Sequence, residues 1–148
     1  MIHLSAFNIS RCYFLNKRKL DHTVRSILKS AGVNDARLAI VFVSDREIRR
    51  LNLMYRKRNR ATDVLSFSMR EGRRLKKDAS FLGDIVISTD RARKQAEKFG
   101  TSFKKEMYLY IIHGVLHLLG YDDERPSSRK KMRKKETQIL NRLWEKVN

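Results

Sequence analysis

The chain has a single cysteine, a single proline and six glycines in 148 residues. Each scarcity excludes something. Cys12 has no partner within the chain, so no disulfide framework braces the fold, and a reducing compartment suits it best. Among apolar neighbours Cys12 reads as a small core filler rather than a nucleophile. With so little proline and glycine there is no room for flexible linkers, and residues 1–148 are expected to form one domain. No stretch has the apolar length of a membrane span. The opening Met1-Ile2-His3-Leu4-Ser5 lacks the basic, apolar and small-residue regions of a secretory leader, so the expected location is cytoplasmic.

Acidic residues are also scarce. Asp and Glu number 16 against 34 Lys and Arg, a formal net charge of +18. A field of that sign and size attracts polyanions, and nucleic acid is the partner it favours. Hydrophobic residues still make up 41%, enough for a real core.

Periodicity orders the elements. Residues 2–10 alternate like a strand, with Ile2, Leu4 and Ala6 on one face. Residues 17–31 carry Leu20, Val24, Ile27 and Leu28 at helical spacing, and residues 37–43 are a β-rich run. Ser44 and Glu47 form a capping box for a helix bearing Ile48, Leu51 and Leu53-Met54, followed by a polar basic segment from Tyr55 to Arg60. Strands are expected at 64–68 and 82–87, with a basic loop over 70–80 between them. Thr89 is expected to cap a short helix ending at Gly100, and further helices follow over 102–119 and from Pro126 onward. The expected class is α+β, one mixed sheet of about four strands with about five helices.

The chemistry is concentrated in His113-Gly114-Val115-Leu116-His117-Leu118-Leu119-Gly120-Tyr121-Asp122-Asp123. Histidines four apart on a helix share a face, roughly 5–6 Å apart at Cβ, and can grip one ion. Gly120 permits the backbone turn that returns Asp123 to it. The spacing is that of the long metalloprotease helix motif, with Gly114 in place of the glutamate and Asp123 in place of the third histidine. Two nitrogens and a carboxylate suit zinc, one ion per chain, and leave a fourth position open. Without the glutamate, peptide hydrolysis lacks its general base. Asp84 interrupts an apolar strand; it either points outward or supports the ligands from behind.

The same stretch resembles the signature of the YbeY family of rRNA maturation factors. Leu51-Asn52, Tyr55-Arg56 and Thr62-Asp63-Val64-Leu65-Ser66-Phe67 resemble that family's second signature, and Leu82-Gly83-Asp84-Ile85-Val86-Ile87 its third. The resemblance implies a zinc-dependent, single-strand-specific endoribonuclease that matures the 3′ end of small-subunit (16S) rRNA and acts in ribosome quality control. Its partners would be rRNA and the ribosome. It implies metal ligands at His113, His117 and position 123, where Asp123 stands for the usual histidine, and a functional arginine at Arg56. Arg58, Arg60, Arg73, Arg74, Lys76 and Lys77 are expected to flank the site and bind RNA phosphates. The basic run from Arg129 to Lys135 offers either a second RNA surface or a solvated helix face. Two other readings stay open: a metalloprotease-like hydrolase, and a non-catalytic RNA- or ribosome-binding protein.

Overall fold

The computed structural model describes residues 2–8, 16–69 and 81–147, with the backbone alone at 145–147. The element order is β1 (Ile2–Asn8), α1 (Lys17–Ser30), β2 (Ala36–Val43), α2 (Asp45–Arg56), β3 (Val64–Ser68), β4 (Phe81–Ser88), α3 (Thr89–Phe99), α4 (Phe103–Leu118) and α5 (Pro126–Val147). This is the expected α+β order. The strands lie in the order β1-β2-β4-β3. β1, β2 and β4 run parallel, and β3 pairs with β4 antiparallel at the edge, so the sheet is mixed. No helix among the described residues is long and apolar enough to cross a membrane.

Alternation along β4 divides the sheet into two faces. Ile85 and Ile87 join the larger core, built with α1, α4 and α5; Val86 joins a smaller one with Val43, Ile48 of α2 and Leu65 of β3. Asp84 alternates onto the Val86 face and is exposed, so it points outward rather than toward the histidines. Burial still raises its carboxyl pKa.

Local chemistry sets the helix ends. The Ser44 hydroxyl accepts from the Glu47 backbone N–H, as the capping box predicts. Asp45 ties this end to α3 by accepting from Ser88 Oγ at 2.7 Å and pairing with Lys94 at 2.7 Å. Helix α2 extends further than the apolar pattern implies. It runs through Tyr55 and Arg56 and stops where Lys57 adopts φ 58°. Arg56 is therefore on a helix, not in a loop. Leu53 and Met54, read as part of the helix's apolar pattern, are exposed. The cap of α3 falls on Ser88, one residue before the expected Thr89.

Helix α4 positions the site. From Met107 to Leu118 only Leu109, His113 and His117 escape full burial, and they are spaced four apart on one stripe. The helix sits close to β4 because Gly114 has no side chain. A Cβ there would lie 2.6 Å from Ile85 Cγ2. Gly114 thus faces the core, and a glutamate at that position would have to displace Ile85.

Gly114→Ala is expected to destabilise the fold by up to about 2 kcal/mol. Overpacking of about 1–3 kcal/mol outweighs the gain of about 1 kcal/mol in helix propensity. Denaturant unfolding checks this; a variant as stable as the parent would show that α4 is not tightly seated on Ile85.

Candidate metal centre

His113 and His117 project from the last two turns of α4, one above the other. Their side chains retain 28% and 26% exposure, enough to meet solvent from a largely buried helix. Gly120 then takes φ 103°, and the Tyr121 N–H closes back on the Leu116 carbonyl at 3.0 Å. That reversal carries Asp123 over the helix end. One ligand atom from each of His113, His117 and Asp123 lies within 4.8 Å of the other two.

The distances fit a metal ion. The two Nε2 atoms are 3.0 Å apart, and Asp123 Oδ2 is 3.8 Å from His117 Nε2. Around a tetrahedral ion with bonds of about 2.0–2.1 Å, ligand atoms stand roughly 3.3 Å apart. The two distances that meet at His117 Nε2 each lie within about half an ångström of that spacing. Asp123, at 50% exposure, lies at the mouth and is the least constrained.

The ring nitrogens facing away from this point are also committed. His113 Nδ1 bonds the Glu136 carboxylate of α5. Donation from Nδ1 to Glu136 would leave the Nε2 lone pair for an ion. The His117 ring has a hydrogen bond to the Tyr121 backbone. Burial acts to lower the His113 pKa, but Glu136, with Asp63 and Asp123 nearby, raises it overall. Burial and the neighbouring His113 lower that of His117, which favours the neutral, ligating form. Asp122, the alternative carboxylate in the turn, is fully exposed; bonds from Ser128 and from the Glu124 backbone hold its pKa down.

These side chains open onto a cleft of about 700 Å³. Arg56, Arg58 and Arg60 line it with His113, His117 and Asp123. Arg56 reaches across the free edge of β3, where Nη2 donates to the Ser66 carbonyl at 2.7 Å, and its guanidinium stacks over Phe67 at 5.6 Å. Buried Asn52 holds the neighbouring loop by donating to the Arg60 carbonyl at 2.9 Å and accepting from the Arg58 N–H at 3.3 Å. Arg73, Arg74, Lys76 and Lys77 lie outside the described residues, as does Cys12. On α5, Arg129, Lys130, Lys131, Arg133 and Lys134 are exposed and do not line this cleft.

The sequence reading missed Glu136. A signal was present: Met132, Glu136, Ile139 and Leu143 follow helical spacing, so this carboxylate occupies a position on the buried face of α5. An acid there needs a partner, and His113 is that partner.

Glu136→Gln keeps the side chain's shape and removes its charge. If the group holds a divalent ion, the substitution is expected to weaken that ion's binding about 10–100-fold with little change in fold. Competition with a chromophoric chelator measures this. Unaltered affinity would mean that Glu136 only fills space.

The sequence model of the family described as Endoribonuclease YbeY matches residues 8–144. Endoribonuclease YbeY of Desulforamulus reducens is 44% identical over 128 residues, covering 84% of this chain and 84% of its own. That of Aquifex aeolicus is 41% identical over 133 residues, covering 87% and 85%. That of Salinibacter ruber is 38% identical over 130 residues, covering 86% and 83%. The solution structure of a Thermotoga maritima protein superposes with a TM-score of 0.66 at 26% identity, over 99% of this chain and 91% of that one. With a matching sequence motif, a fold of the same order and relatives of this similarity over most of their length, the chain belongs to the YbeY family.

Proposed function

We propose that this protein is a zinc-dependent, single-strand-specific endoribonuclease, and that residues 1–148 work as one domain. The observation that carries the reading is the joining of a His113–His117–Asp123 group to three arginines in one cleft. The name Endoribonuclease, carried by the relatives, supports the same reaction here.

A divalent ion bound at these ligands would supply Lewis acidity toward a phosphoryl oxygen and make water more acidic. The chain's own residues do the rest. The bond of Arg56 to Ser66 occupies only part of its guanidinium fork. The remaining donors can pair with non-bridging phosphate oxygens as their charge grows. Arg58 and Arg60, held by Asn52, bind flanking phosphates and set the strand's register without reading its sequence. Arg73, Arg74, Lys76 and Lys77 would extend that contact. Glu136 keeps the His113 proton on Nδ1.

The natural substrate in this reading is small-subunit (16S) rRNA, processed at its 3′ end and during ribosome quality control. The partners are rRNA and the ribosome, and the place of action is the cytoplasm. The net charge of +18 suits a protein that works on such a polyanion. The protease reading is disfavoured by Gly114, which faces Ile85 where a general base would be needed.

Two measurements test the proposal. Cleavage of a single-stranded RNA oligomer should stop with chelator and return with added zinc; activity that persists in chelator contradicts the metal dependence. Arg56→Ala should cut the rate about 100–1,000-fold, the range for losing one donor to a developing oxyanion, while bound zinc stays constant. Undiminished cleavage would remove Arg56 from the mechanism.

A further inference from the structure

Beside the arginine-lined cleft, on the other side of the β3 edge, stands an aromatic group that the reaction outlined above does not use. Tyr55 is the residue before Arg56 on α2 and is 61% exposed. It is nevertheless held. Its ring meets Phe67 edge to face, with centroids 5.3 Å apart and planes at 69°. Phe67 also packs against the smaller core and meets the Arg56 guanidinium. Phe67 is part-buried in β3 between Ser66 and Ser68, both of which line the cleft. Alternation directs Phe67 to the α2 face and the two serines to the metal face.

Three features coincide here. A large aromatic ring is exposed where water gains nothing from it. A second ring and a helix hold it in place, so little freedom is lost when something binds. The Arg56 guanidinium meets the same Phe67 ring and also lines the cleft. Sequence-tolerant recognition of single-stranded nucleic acid combines these parts: a basic groove for the backbone and an aromatic face for the bases.

We propose that Tyr55, braced by Phe67 and flanked by Arg56, is a stacking platform for one unpaired nucleobase next to the phosphates in the cleft. The inference rests on the RNA reading above and adds a source of strand selectivity to it. An unpaired base can turn its face onto Tyr55. A base inside a duplex has both faces covered by its neighbours and must be unstacked first. The platform would therefore favour single strands without reading their sequence.

The test is equilibrium binding in chelator, where RNA is not cut. The probes are a labelled single-stranded oligoribonucleotide and an abasic oligomer with the same phosphates. The parent should bind the base-bearing strand more tightly than the abasic one. Tyr55→Ala should weaken binding of the base-bearing strand by about 5–150-fold, the equivalent of about 1–3 kcal/mol per stacked base. It should leave abasic binding unchanged. Tyr55→Phe, which keeps the ring face, should bind like the parent. Equal weakening of both oligomers by Tyr55→Ala, or none of either, overturns the platform. If the parent binds neither oligomer, the RNA reading falls with it. If the parent binds and cleaves RNA while Tyr55→Ala matches it throughout, the platform alone is wrong.

Discussion

The seating of α4 on the sheet determines where the two imidazoles stand. The helix is packed on almost every side, by β4 through Gly114 and by α1, α3 and α5 elsewhere. Only the stripe that includes His113 and His117 reaches the surface. Their positions are therefore set by core packing, which shifts little, rather than by loop conformation. A site carried on a packed element keeps its geometry before anything binds. Asp123 differs, because it arrives on a turn. Its place depends on the reversal at Gly120 and on the fixed start of α5 at Pro126. Two rigid donors and one adaptable donor would suit the proposed centre, which holds an ion and still admits a phosphate.

Electrostatics works here on two length scales. The molecule as a whole is strongly positive, and that field draws in a polyanion, less so as salt screens it. Within a few ångströms of the histidines the sign reverses. Glu136, Asp63 and Asp123 all raise the His113 pKa, so the local field favours a cation. The arginines lie along the same cleft but on α2 and the loop after it, facing the side where the strand would pass. Asp63 and Asp123 thus share one cleft with the arginines, and Arg56 is tied to β3 through the Ser66 carbonyl.

Much of this was legible in the residues, for identifiable reasons. Element order followed from periodicity because most strands and helices have one strongly buried face. The convergence of His113, His117 and Asp123 was legible because i and i+4 spacing, a turn glycine and a following carboxylate are local features. What escaped was set by tertiary contacts. The apolar pair Leu53-Met54 reads as core, yet α2 turns it outward toward solvent. Arg56 reads as part of a basic loop, yet Lys57 accepts a left-handed conformation and lets the helix run one residue past Tyr55. Asp84 stayed ambiguous until the strand register assigned it to the face away from the histidines. Glu136 is bonded to a histidine on another helix, and only the packing of α5 on α4 brings the two together.

The central claim is that His113, His117 and Asp123 converge on one ion. X-ray absorption on the zinc-loaded chain tests it most directly. The account predicts two imidazoles at about 2.0–2.1 Å with oxygen completing the shell at about 2.0–2.2 Å, and a single imidazole in His117→Ala. A sulfur scatterer near 2.3 Å, or an imidazole count that His117→Ala leaves unchanged, would contradict it.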